Sequence, residues 1–388
     1  MTAWEVAVIG GGVAGSTAAA LLAQRGLRVI LLEKDAFPRH KVCGEFLSPE
    51  GVEVLRRLGV WSRIEPHNPP PIHGFTLTAG RGRTRHQLPQ SGRGVSRWVL
   101  DHALWEHAAR SGVATREHCA VEQVEGDSRR GFSLTLRQAG RASRCIQTQA
   151  VLCAAGRQWQ PRGRPRMPGD GRSPRFVGLK AHFRGVPLDG QVELHTIRHG
   201  YCGLVEVTDG VANLCCWVEA TALQRAGARP GRFLTSALGE NAHLRARLHT
   251  AQQVGTHWIT TSWAYARTAT PVEEGIWNVG DRAAMVAPLT GDGMGMGLRG
   301  AELAATIVLA MLRRELSWEQ ATAEYTWRWR REFLPRLRWG RCLEAILLQP
   351  RLAVLARWAL NCVPSLTDQL YRRTRQLIPM TEPGVERS

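Results

Sequence analysis

The sequence predicts a mixed α/β fold: a parallel-sheet domain, interrupted by an antiparallel sheet and followed by a helical C-terminal region. Three observations carry this. An apolar run, Glu5-Val6-Ala7-Val8-Ile9, gives way at once to glycines and then to an Ala/Leu-rich stretch from Ser16 to Gln24. Between residues 176 and 264 short strand-like runs follow one another with little room for crossover helices. From Trp318 to Arg375 apolar residues recur at helical spacing, with breaks at Pro350 and Pro364.

The first segment holds Gly10, Gly12 and Gly15 in a G-x-G-x-x-G pattern. In a chain with 40 glycines that pattern alone is weak. Here it follows a strand, opens a helix and precedes a second apolar strand, Arg28 to Leu32, that ends on Glu33. In this Rossmann-like context Gly10 allows the tight turn, Gly12 lets the backbone approach a pyrophosphate, and Gly15 lets helix and strand pack closely. Val13 and Ala14 lie at the helix start, where free N–H groups and the positive dipole end receive phosphate charge. Glu33, 23 residues after Gly10, is placed to accept hydrogen bonds from an adenosine ribose, with Lys34 beside it. A carboxylate there repels a 2'-phosphate, so FAD or NAD is favoured over NADP.

Next come a polar loop from Phe37 to Gly51 and a short helix, Val52 to Leu58. Arg39 and Lys41 in that loop either face phosphate or flavin oxygens or are solvated loop charges. Pro66, Pro69, Pro70 and Pro71 mark a crossing into β-like runs at Gly74–Thr78 and Arg85–Leu88. Arg97 then opens a helix, Trp98 to Ala109, followed by strands at Cys119–Val124, Phe132–Arg137 and Ile146–Ala154. The Arg- and Pro-rich segment Arg157 to Arg175 reads as a solvated loop rather than a lid, because that composition cannot bury a core. Strands at Phe176–Phe183, Gln191–His195, Tyr201–Val207, Val211–Val218 and Thr256–Ala264 are interrupted by a helical interval, Gly231 to His249. A strand ending in Asp281, a second glycine turn from Pro288 to Gly297 and a helix from Ala301 to Arg314 close the pattern. The expected domains are residues 1–70, 95–160 and 270–316 for the nucleotide-binding part, 71–94 and 176–269 for the inserted sheet, and 317–388 for the helical region.

With 44% hydrophobic and 22% charged residues the chain reads as an ordinary soluble globular protein. The net charge of +18 favours anionic partners: nucleotide cofactors, acidic substrates or anionic lipid surfaces. Only three of the 51 basic residues are lysines. No nucleic-acid module is present, so nucleic acid is not expected as a partner. Nine cysteines without a C-x-x-C suggest reduced thiols and no metal site. With no signal peptide before the first strand and no uninterrupted apolar span, a cytoplasmic protein is expected. The Trp- and Arg-rich tail either lies on a membrane surface or packs as a helical lid on the core.

Three motifs in combination resemble the flavoprotein superfamily of para-hydroxybenzoate hydroxylase-type monooxygenases, geranylgeranyl reductases and flavin-dependent halogenases. They are the Gly10–Gly15 fingerprint with Glu33, the helix start at Arg97, and Gly280-Asp281 with Pro288 and Gly291 to Gly295. The resemblance implies a GR2-type FAD-binding domain in which Asp281 bonds the FAD ribityl chain. It further implies that Gly291, Gly293 and Met294 approach the flavin ring, Arg97 contacts the cofactor, and the backbone at Val121 lies by the adenine. The Cys43-Gly44 loop with Pro49 is most similar to the reductase and halogenase branch. The hydroxylase D-G motif is Ala155-Gly156 here, and the W-x-W-x-I-P motif of tryptophan-type halogenases and the full Y-x-W-x-F-P segment of reductases are absent.

The function implied first is a monooxygenase that hydroxylates an aromatic or polyketide-like small molecule through a flavin C4a-hydroperoxide. The alternatives are a reductase acting on C=C bonds of a prenyl lipid and a flavin-bearing electron carrier without substrate chemistry. Without a second nucleotide fingerprint, electrons come from transient NAD(P)H docking or from a separate flavin reductase. Cys43, His182 and Tyr201 are the substrate- or flavin-face candidates, with His195 and Glu206 as further strand-borne acid/base candidates; no catalytic side chain is assigned.

Overall fold

The computed structural model describes residues 4–138, 142–156, 159, 175–208, 210–263 and 270–375. From the N-terminus, β1 (Trp4–Ile9) leads through α1 (Val13–Ala23) to β2 (Val29–Leu32). Then come β3 (Phe46–Leu47), α2 (Pro49–Arg57), α3 (Trp61–Ile64) and the hairpin β4 (Pro71–Ala79) and β5 (Gly82–Gly94). The chain returns through α4 (Arg97–Arg110), β6 (Ala114–Arg116), β7 (Cys119–Asp127), β8 (Gly131–Gln138) and β9 (Arg144–Cys153). The inserted part is β10 (Phe176–Arg184), β11 (Gln191–Ile197), β12 (Gly200–Thr208), β13 (Val211–Glu219), α5 (Ala220–Arg225), α6 (Pro230–Glu240), α7 (Ala242–Leu248) and β14 (Gln252–Trp263). Last are β15 (Val272–Glu273), β16 (Ile276–Asn278), α8 (Gly293–Leu312), α9 (Trp318–Leu347), α10 (Pro350–Cys362) and α11 (Ser365–Thr374).

The first sheet runs β15-β16-β9-β1-β2-β6, with β8 pairing antiparallel to β9 and carrying β7. Its centre is parallel: β1 pairs with β2 and β9, and β9 with β16. Successive side chains point to opposite faces and both faces are covered, so β1 is apolar and buried from Val6 to Ile9. Val6 and Val8 join the large core under α1, α4, α8 and α9, while Ala7 and Ile9 join the core under β7 and β8.

The second sheet runs β14-β10-β13-β12-β11-β4-β5-β3 and is antiparallel apart from the β11–β4 pair. β10 shows the same alternation with a different result. Leu179, Ala181 and Phe183 bury against the small helices α6 and α7, and Lys180 and His182 take the other face. β3 pairs with β5, so the loop after β2 is stitched into this second sheet.

Several expectations shift. The α8 helix starts at Gly293, eight residues before Ala301, because Gly293, Gly295, Gly297 and Gly300 hide the helical period. The helical interval is two helices, α6 and α7, cut at Asn241, whose side chain caps α7 by accepting from the His243 and Leu244 N–H groups, and a further helix, α5, precedes it. The run at Arg85–Leu88 belongs to the longer β5. One segment, α8, is after all long and apolar enough to cross a membrane by length and composition, but it is two-thirds buried as a core helix. Apart from Trp159 and Arg175, the Arg157–Arg175 segment lies outside the described residues.

Candidate functional site

The turn between β1 and α1 is built as its glycines require. Gly10 has φ +99°, and a Cβ on it would stand 2.6 Å from the Ala154 carbonyl oxygen. A Cβ on Gly15 would land on the Gly10 carbonyl. A Cβ on Gly12 meets nothing closer than Lys41 Nζ at 3.6 Å and Arg97 Nη2 at 3.8 Å. The start of α1 has no side-chain cap, so its free N–H groups open into a space rimmed by Lys41 and Arg97.

Glu33 is buried and accepts from the Gly11 N–H (2.8 Å), the Asp35 N–H (3.1 Å) and Arg39 Nη2 (2.9 Å). Arg39 Nε and Nη1 are buried and make no hydrogen bond. Arg97 forms a two-pronged pair with Asp101, at 2.7 and 2.8 Å, which raises its already high pKa. Burial, with the Arg39 guanidinium, pushes Lys41 below the ordinary lysine range. Three cations, one uncapped helix start and the Arg39 donors left without a hydrogen bond form a cradle that could hold a diphosphate. Lys34 is exposed, outside this cradle.

The second glycine turn reaches the same place. A Cβ on Gly280 would lie 3.0 Å from Ala14 Cβ, and one on Gly297 3.7 Å from it. Asp281, exposed in a 3-10 turn, lines a narrow cleft with Gly280, Gly293, Met296 and Gly297. Gly291 has φ +63°, and Met294 is buried in the first turn of α8, which also lacks a side-chain cap. These approaches through Ala14 bring the two uncapped helix starts together. Val121 is buried on β7, and its carbonyl accepts from Trp159 Nε1 at 3.0 Å.

Between the cradle and the second sheet sits a polar cluster of which the sequence singled out His182 and Cys43 but not Glu45, Lys180 or His40. Glu45, at φ 58°, is fully buried. It accepts from Lys180 Nζ (2.5 Å) and the Arg97 N–H (2.6 Å), and it bonds His182 Nε2 (2.9 Å). Although burial raises a carboxyl pKa, Lys180 and His182 hold Glu45 down at about 2. Lys180 Nζ also donates to the Lys41 carbonyl at 3.1 Å. His40 lies 4.9 Å from His182, ring to ring, and burial with the Lys180 charge lowers it to about 4. Cys43 adjoins: its Sγ accepts from the Glu45 N–H and from Arg97, and its carbonyl takes the Asn213 amide. Lys180 and His182 share a strand face at i and i+2, and two of the three lysines meet here. Those were the available signals.

The other strand-borne candidates separate. Buried His195 bonds Thr78 and Glu193, and Glu193 pairs with Arg247, which is a structural network apart from the cluster. Glu206 is partly buried. Tyr201 is buried and donates to Glu344 of α9 at 3.1 Å; burial raises both, Glu344 to about 7. The helical region therefore packs on the core as a lid. Arg336 of α9 reaches Glu50 (2.7 Å) and Asp292 (3.2 Å) at the start of α8. Burial and Glu50 push Asp292 well up.

Residues 3–326 match the family described as FAD binding domain. The chain belongs to that family. As such it is an FAD-dependent oxidoreductase, within the superfamily of flavin-dependent halogenases and monooxygenases. Conditioned medium factor receptor 1 of Dictyostelium discoideum is 24% identical over 85% of this chain and 68% of its own length. A tryptophan 2-halogenase of Chondromyces crocatus is 25% identical over 83% of this chain, which spans 64% of that protein. A menaquinone reductase of Mycolicibacterium smegmatis is 26% identical, with 78% and 76% covered. Among solved structures, the myxobacterial chondrochloren halogenase CndH superposes with a TM-score of 0.80 at 20% identity, over 97% of this chain and 91% of that one.

Proposed function

We propose that this FAD-dependent oxidoreductase is a monooxygenase that hydroxylates an aromatic or polyketide-like small molecule. The observation that carries the proposal is the Glu45–Lys180–His182–His40 cluster beside the cradle. A phenolic substrate needs its hydroxyl oriented, and neutral His40 next to the His182–Glu45 pair is suited to accept a hydrogen bond from it. Bound FAD would supply the redox and oxygen chemistry. Gly12, Lys41, Arg39 and Arg97 would hold its diphosphate, and Asp281 with Gly293 its flavin end. The start of α8 would favour negative charge near the ring. NAD(P)H docking transiently, or a separate flavin reductase, would deliver electrons.

A second reading, reduction of C=C bonds in a prenyl lipid, is favoured by the apolar layer of Phe75, Phe176, Tyr201, Trp217, Leu289 and Leu347 between the sheet and α9. The deciding assay gives FAD-loaded protein NADH or NADPH, with and without an added flavin reductase, halide, and phenolic or prenyl compounds. Oxygen uptake stimulated by a phenol, with a hydroxylated product, is expected. A halogenated product moves the reaction to the halogenase branch. C=C reduction without oxygen uptake refutes the monooxygenase.

A further inference from the structure

α10 turns an apolar face outward. Among the described residues, Leu352, Val354, Leu355, Trp358 and Val363 are five of the nine large hydrophobic side chains left exposed, Trp358 at 60% and Leu355 at 59%. Ala353 and Leu360, on the other side, bury against the second sheet. At 100° per residue, Arg351, Leu355, Trp358 and Cys362 form one outward stripe. A stripe of this kind on a well-packed helix is an interaction surface, not a folding remnant.

Its surroundings are basic. From Ala345 to Thr367 there is no acidic residue. The turn between β4 and β5 packs on α10: a Cβ on Gly80 would stand 3.1 Å from Val354, and one on Gly82 2.5 Å from the Arg357 guanidinium. That contact sets the exposed Arg81 and Arg83 beside the stripe, and Arg351 is exposed at its start. A second copy of a chain carrying +18 would bring like charge against like charge. An anionic lipid surface complements both the arginines and the apolar stripe.

We propose that α10 and the β4–β5 turn dock this protein on anionic membrane surfaces. Trp358 and Leu355 enter the headgroup boundary, and Arg81, Arg83 and Arg351 pair with lipid phosphates. The docking is independent of the reaction proposed above.

The test is co-sedimentation of the FAD-loaded 388-residue chain with phosphatidylcholine vesicles and with vesicles containing phosphatidylglycerol. Binding to the anionic vesicles is expected to be at least about tenfold tighter and to weaken with salt, as three surface arginines imply. Leu355→Glu with Trp358→Glu should lose at least about tenfold in binding while keeping the bound-flavin absorbance spectrum. Arg81→Glu with Arg351→Glu should remove most of the salt dependence. No sedimentation, equal binding to both vesicles, or unchanged binding by the Leu355/Trp358 variant would overturn the proposal. So would self-association by light scattering that the same variant abolishes without vesicle binding, which assigns the face to a second copy.

Discussion

Replacing Glu45 by Gln keeps the shape of the side chain and removes its charge. Glu45 is held at about 2 against an ordinary 4.5, mainly by Lys180 and His182. At about 1.4 kcal/mol per pKa unit, that difference is about 3 kcal/mol of stability at neutral pH. The figure agrees with the roughly 3–5 kcal/mol lost when one partner of a buried ion pair is removed. Because the folded pKa is depressed, the contribution is fully present above the unfolded value of 4.5 and disappears as pH falls toward 2. Urea unfolding of the two proteins should therefore differ by about 3 kcal/mol at pH near 7 and converge in acid. Removing both partners, Glu45→Gln with Lys180→Met, should recover much of the loss, since an ion pair and an apolar replacement are often nearly equal in energy. A difference that stays constant through the acid range, or a single variant as stable as the parent, would refute the electrostatic account of this cluster.

Gly10→Ala and Gly12→Ala should part company. The first forces a Cβ onto Ala154 at positive φ and should lower the melting temperature in calorimetry. The second meets only ordinary contacts and should leave the apo protein's stability nearly intact while weakening FAD in a fluorescence titration. Asp281→Ala should cost FAD about 1–3 kcal/mol in the same titration, the loss of a polar partner; unchanged affinity would mean Asp281 does not meet the cofactor. Arg336→Met strands Glu50 and Asp292 without their cation and should cost about 3–5 kcal/mol in denaturant unfolding.

The nucleotide-binding half was readable because its signals are local. Strand, glycine turn and helix follow within 20 residues of β1, and the second glycine turn is marked by Asp281 and Pro288. The antiparallel sheet was readable for the same reason, since alternation within each strand is a local pattern. The polar cluster was not, because Glu45 meets Lys180 across 135 positions and Arg336 meets Glu50 across 286. Nothing near Glu45 marks it as buried; its neighbours in sequence form a polar, glycine-containing loop. Tyr201 was singled out, but its partner Glu344 lies 143 positions away on the tail, and a core-packed helix does not by its pattern say which strand residue it meets. The bounds of α8 failed where glycine is used for close approach rather than for turning.

The nucleotide cleft has walls from both ends of the chain: α1 supplies one, and Gly280, Gly293 and Gly297 supply the other. During synthesis the first wall leaves the ribosome with the whole second sheet still to come. A cofactor meeting the nascent chain finds half a cleft until α8 has emerged, and Arg336 anchors that helix only once most of α9 has been made as well. The cleft is thus complete only once α8 and the Arg336 turn of α9 have been made. A chain stopped short of α9 would carry its glycine turns intact and still hold flavin poorly.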